Sequence, residues 1–67
     1  MNTAKLRGLI AERGLSQESV AKRLGMTSKT FYTKMKRGSF YLSECDKLIE
    51  ILAIEKPQDY FFADEVK

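Results

Sequence analysis

The chain has 67 residues, of which 43% are hydrophobic and 31% charged; this is the composition of one small globular domain, not of a disordered tail, and a chain so short buries only roughly 60% of its unfolded surface. With a single cysteine, Cys45, and no histidine, a disulfide framework is excluded and the commonest general base and metal ligand are missing. The net charge of +3 hides an asymmetry: residues 1–38 carry nine basic groups against two acidic ones, a net of +7, whereas residues 39–67 carry three against seven, a net of −4. Such a division points to a polyanionic partner for the first half.

All periodic segments are helical, because no alternating apolar–polar run is long enough for a strand. Leu6, Leu9 and Ile10 recur at i, i+3, i+4, which predicts a first helix near residues 4–13 with Thr3 as its cap and Gly14 at its end. Ser16 caps a second helix of barely two turns, with Val20, Ala21 and Leu24 as its apolar stripe and Gly25 as its stop. Thr27 caps a third helix from Ser28 to about Lys36, closed by Gly38. At 100° per residue, Phe31 and Met35 face inward, while Lys29, Thr33 and Lys36 share the outward face. A fourth helix is predicted after Ser43, with Glu44 and Asp46 in its first turn and Cys45, Leu48, Ile49 and Leu52 buried. Pro57 suits the first position of a short fifth helix, which leads through Tyr60, Phe61 and Phe62 into an acidic tail. The expected fold class is therefore all-α, a compact bundle of four to five short helices forming one domain over residues 1–67, with a short C-terminal helix and tail at 57–67.

Two short helices separated by a glycine and about three residues, the second ending in a basic turn, form a helix-turn-helix pattern spanning residues 17–36. Ala21 is small where the next helix crosses it, Gly25 supplies a left-handed backbone, and Val20, Leu24, Met26 and Phe31 wedge the pair. The stretch GLSQESVAKRLGMTSKTFYTKMKRG, residues 14–38, resembles the phage repressor and Cro-like helix-turn-helix proteins of the XRE family, with Gln17, Ala21, Gly25 and Phe31 at the family spacing. FYTKMKRGSFYLSE and DYFFADEV look like small phage or mobile-element regulators within it. The resemblance implies a lambda-repressor-like DNA-binding domain. Two features depart from the family pattern: Phe31 stands where many members have a branched aliphatic, and Lys34-Met35-Lys36-Arg37 replaces a glutamate-containing turn. An internal arginine–glutamate pair used by some members is therefore not supplied, and Arg13 is left either solvated or touching phosphate.

On this reading the third helix enters the major groove with Ser28, Lys29, Tyr32 and Thr33 toward base edges. Lys29 donates to guanine, hydroxyls adapt to either partner, and a threonine methyl meets the thymine methyl. Phosphate contacts are expected from Thr27, Lys36, Arg37 and Ser39 around the helix ends, with Lys34 and Tyr41 as weaker candidates; Gln17 follows from the resemblance. The alternative for Lys29 is a solvated helix charge, for Thr27 a cap alone, and for Ser39 a turn residue alone. Three consecutive aromatics cannot all point inward, so Tyr60, Phe61 and Phe62 are expected to make a homodimer contact on a pseudo-palindromic operator; a terminus laid over the core is the competing reading.

The expected function is sequence-specific binding of double-stranded DNA as a transcriptional regulator, with repression by operator occupancy favoured because these residues hold no effector-sensing domain. A protein-binding module of the same fold, such as an antitoxin or antirepressor, is the alternative. Catalysis is not expected, since no nucleophile–base pair, metal cluster or phosphate loop is present, and neither a cofactor, a metal nor a small-molecule substrate is implied. No apolar run approaches the roughly 18 residues of a spanning helix and no apolar signal core opens the chain, so no membrane partner is expected and the expected location is the bacterial cytoplasm or nucleoid.

Overall fold

Local capping chemistry sets where each element begins and ends. The computed structural model describes residues 1–61, which fold as five helices: α1 (Thr3–Glu12), α2 (Gln17–Arg23), α3 (Ser28–Arg37), α4 (Leu42–Leu52) and α5 (Gln58–Phe61). The fold is all-α, as the periodicity requires. Ser16 Oγ accepts from the Ser19 N–H, and Ser19 Oγ accepts from the Ser16 N–H, so a reciprocal box starts α2. Thr27 Oγ1 accepts from the Thr30 N–H and starts α3.

Two predicted boundaries shift. α1 is capped by Asn2, whose Oδ1 accepts from the Lys5 N–H at 3.0 Å, and Thr3 is already helical. α4 starts at Leu42, not after Ser43, because the Glu44 carboxylate reaches back to the Tyr41 N–H at 2.8 Å and satisfies the orphan donor one turn earlier. Asp46 consequently falls outside the first turn, and Ile49 is half-buried, not fully inside. Pro57 directly precedes α5, and its carbonyl accepts from the Tyr60 and Phe61 N–H groups.

Four helices end in the same way. In each, the first or second residue after the helix (Gly14, Gly25, Gly38 or Ala53) adopts a left-handed backbone, and the N–H groups of that residue and the next fold back onto the last turn. At the end of α2, Gly25 (φ 78°) bonds Lys22 and Met26 bonds Ala21. A Cβ on Gly25 would meet nothing within 4 Å, so its requirement is purely one of backbone conformation. The fourth such end has Ala53 (φ 52°) in place of glycine. It is reinforced from outside by Arg13, whose Nε donates to the Leu52 carbonyl at 2.7 Å and whose Nη2 donates to the Ala53 carbonyl at 3.4 Å. Arg13 is therefore a C-cap for α4 supplied by the end of α1, which corrects the expectation that it is solvated or touches phosphate.

One core joins all five helices. It contains Leu6, Leu9 and Ile10 of α1, Val20, Ala21 and Leu24 around α2, Phe31 and Met35 of α3, Cys45, Leu48 and Leu52 of α4, and Ile54 and Phe61 beyond. α2 packs most extensively on α3, α1 lies against α2 and α5, and α4 supports α2. Ala21 is fully buried, as expected of a small residue between crossing helices. Phe31 is also fully buried, and its ring lies 5.7 Å from that of Phe40 at 54°. The half-buried Phe40 thus packs beside the aromatic that α3 gives to the core. Among the described residues, no helix is long and apolar enough to cross a membrane.

A left-handed backbone costs an alanine about 1–2 kcal/mol that glycine does not incur. Ala53→Gly is therefore expected to raise stability by roughly 0.5–1 kcal/mol in urea denaturation after the entropic cost of glycine is subtracted. A lowered midpoint would contradict the strained end described for α4.

Candidate nucleic-acid interface

α3 has only two residues in the core, Phe31 and Met35. Their i, i+4 spacing buries one narrow stripe and leaves most of the circumference outside. Measured from the midline between them, Thr33 lies opposite, flanked by Lys29 and Lys36 on one side and Arg37 on the other. All four are exposed. Among the described residues none of the three cations is ion-paired with a carboxylate, which leaves their charge directed to solvent.

Other basic groups of the first half are engaged within the molecule. Lys5 lies 3.8 Å from Asp59 and 5.0 Å from the Tyr60 ring centre. Lys34 Nζ donates to both oxygens of Glu44, at 3.0 and 2.9 Å, and stands 4.2 Å over the Tyr41 ring. The Lys34 and Glu44 side chains are 20% and 15% exposed. Lys34 is therefore a strut between α3 and α4. Burial alone would raise the Glu44 carboxyl, but the Lys34 hydrogen bonds, the Tyr41 N–H and the charges of Lys34 and Lys47 outweigh it and hold the group below its ordinary value.

The expected base-reading set is not all on one line. Lys29 and Thr33 share the groove between α3 and the start of α4 with Thr30, Arg37, Ser39 and Tyr41. Ser28 is half-buried in a second groove, between α2 and α3, beside Ser16, Ser19, Lys22 and Thr27. Tyr32 is half-exposed at the flank, its ring edge-on to Phe31 at 6.4 Å. Of the expected phosphate set, Thr27, Lys36, Arg37 and Ser39 are exposed around the two ends of α3, and Gln17 is half-buried at the first position of α2. Thr30 was not anticipated: it is exposed on the outward arc, and its hydroxyl accepts a 3.0 Å bond from Thr27. A 100° projection taken from the inward pair would have included it.

The aromatic cluster near the end divides. Phe61 is 7% exposed and belongs to the core, and Tyr60 is half-buried against it with its carbonyl accepting from the Asn2 N–H at 2.8 Å. Phe61 is thus buried in its own core and not presented as the expected dimer contact, because α5 folds back over α1, as the competing reading of a terminus laid over the core has it. Phe62 lies outside the described residues. Among the described residues, the exposed large apolar side chains are Tyr32, Tyr41 and Leu42, at 50%, 71% and 72%. In comparisons with known proteins, the chain matches no family model, no curated protein and no solved structure.

Because the folded Glu44 carboxyl sits below its unfolded value, its contribution to stability is complete above the ordinary carboxylate range and is lost as pH falls through the folded value. Acid titration of the urea midpoint is expected to show Glu44→Gln less stable than the parent near neutral pH, with the gap narrowing as pH falls below the ordinary carboxylate range. A constant gap across that window would remove the Lys34–Glu44 strut from the account.

Proposed function

We propose that the chain is a sequence-specific double-stranded DNA-binding regulator, of the repressor or Cro-like kind that residues 14–38 resemble, reading the major groove with α3. The observation that carries this reading is the outward face of α3. Three unpaired cations and several hydroxyls share a helix whose opposite side is anchored by Phe31, Met35 and the Lys34–Glu44 strut. A solvated helix of a small protein needs no such division between tethered and untethered charge, whereas a helix docked in the major groove needs a rigid back and a cationic front.

In this reading Lys29 and Thr33 face base edges, with Tyr32 and Ser28 one turn apart on a single flank, and Lys36, Arg37, Thr27 and Ser39 meet the phosphates. Gln17, at the start of α2, reaches the backbone of the same duplex. One α3 covers only a few base pairs, so two copies on a pseudo-palindromic site supply the remaining specificity, with their α3 helices about 34 Å apart. Regulation then follows from occupancy of the operator, and repression is the simplest outcome of excluding polymerase.

Affinity for a duplex is expected to fall steeply with salt, each neutralised phosphate adding about −0.9 to the slope of log K against log salt. Lys36→Ala and Arg37→Ala should each make the slope shallower by about one such contact, while Lys34→Ala should lower the melting point and leave the slope of the remaining folded protein unchanged. Binding that is indifferent to salt, or absent on random and selected duplexes alike, would overturn the reading in favour of a protein-binding module of the same fold.

A further inference from the structure

The hydroxyls on the outward face of α3 are not equivalent. Thr33 Oγ1 donates to the carbonyl of Lys29, one turn back, at 2.9 Å. A hydroxyl has a single proton, so Thr33 has no donor left to offer a base edge. The same bond turns the oxygen back along the helix and fixes the side-chain rotamer, which leaves the γ-methyl as the group presented outward. Among the described residues, the Ser28 and Tyr32 hydroxyls are not engaged in this way, so both remain able to donate.

The position gives that methyl its meaning. Thr33 lies at the centre of the outward arc, one turn after Lys29 and one turn before Arg37, in the same groove as both. Cations at either end and an oriented methyl between them match a major-groove edge in which an apolar group sits among acceptors. The base that presents an apolar group there is thymine, through its C5-methyl.

Building on the DNA-binding reading, we propose that Thr33 is a specificity-determining residue that selects thymine through methyl–methyl contact, its hydroxyl being committed to the helix backbone. The hydroxyl lone pairs offer a rival mode, acceptance of a hydrogen bond from an adenine or cytosine amino group. The two modes separate by substitution: Thr33→Val keeps the methyl and removes the acceptor, whereas Thr33→Ser keeps the hydroxyl and removes the methyl.

The experiment selects a bound site from a random duplex library, then replaces each thymine singly by deoxyuridine and measures affinity for the parent, Thr33→Val and Thr33→Ser. At one thymine per recognition helix, deoxyuridine should weaken the parent and Thr33→Val about fourfold, the worth of one buried methyl group, and leave Thr33→Ser unaffected. Thr33→Val should bind the unmodified site as the parent does, and Thr33→Ser about fourfold more weakly. Equal thermal melting of the three proteins is the control for folding. If Thr33→Val alone loses affinity, or if no single deoxyuridine matters to the parent, thymine reading by Thr33 is wrong and the DNA-binding reading stands. If no duplex is selected at all, both fall together.

Discussion

The architecture depends on holding α3 by one narrow stripe. Phe31 and Met35 are all that this helix gives to the core, and a helix held on two side chains one turn apart would be free to roll about its axis. Three restraints prevent that. The Thr27 cap and the left-handed Gly38 fix where α3 starts and stops, and Phe40 packs against Phe31 from the following loop. The Lys34 ammonium, gripped by both Glu44 oxygens and by the Tyr41 ring, fixes the rotation. The outward direction of Lys29, Thr33 and Arg37 is a consequence of these contacts and not of any property of those residues themselves.

The remainder of the molecule braces this arrangement. α4, which carries Glu44, is itself tied at its far end by Arg13 reaching across from α1 to the Leu52 and Ala53 carbonyls. α1 is tied in turn to α5 through the Asn2–Tyr60 backbone bond and the Lys5–Asp59 pair. A cation at a helix C-terminus meets both the orphan carbonyls and the negative end of the helix dipole, so Arg13 gains from two sources with one guanidinium. Basic residues in this chain therefore divide into those that join helices and those that are left outside, and net charge alone does not distinguish the two.

That division marks the limit of what could be read in the chain. Ser16, Gly25, Thr27 and Gly38 announce the boundaries of α2 and α3 because capping acts within three or four residues, and the inward pair Phe31 and Met35 follows from helical periodicity. The start of α4 was displaced because Ser43 looks like a cap, whereas the operative group is Glu44 reaching back to Tyr41, a pattern legible only when the acidic side chain is given priority. Arg13 could not be assigned from sequence, since its partners lie 39 and 40 positions away. Lys34 is one of three basic residues in the last turn of α3, and only the fold shows that it, rather than Lys36 or Arg37, points at a carboxylate. Phe61 joins the core because α5 returns to α1, and no local pattern chooses between that fold-back and the expected dimer contact. The outward candidates Lys29, Thr33, Lys36 and Arg37 were legible, since exposure opposite a buried stripe needs only the 100° step of the helix.

The central claim is that the unpaired face of α3 is where a nucleic acid is bound. Its most direct test is residue-by-residue: titration of the isotope-labelled chain with a short duplex, followed by amide chemical shifts. The account predicts that perturbations concentrate on residues 27–39 together with the start of α2 near Gln17, and that α1, α5 and the far end of α4 around Arg13 and Ala53 stay unmoved. Perturbations centred on α1 and α5, with α3 silent, would contradict it.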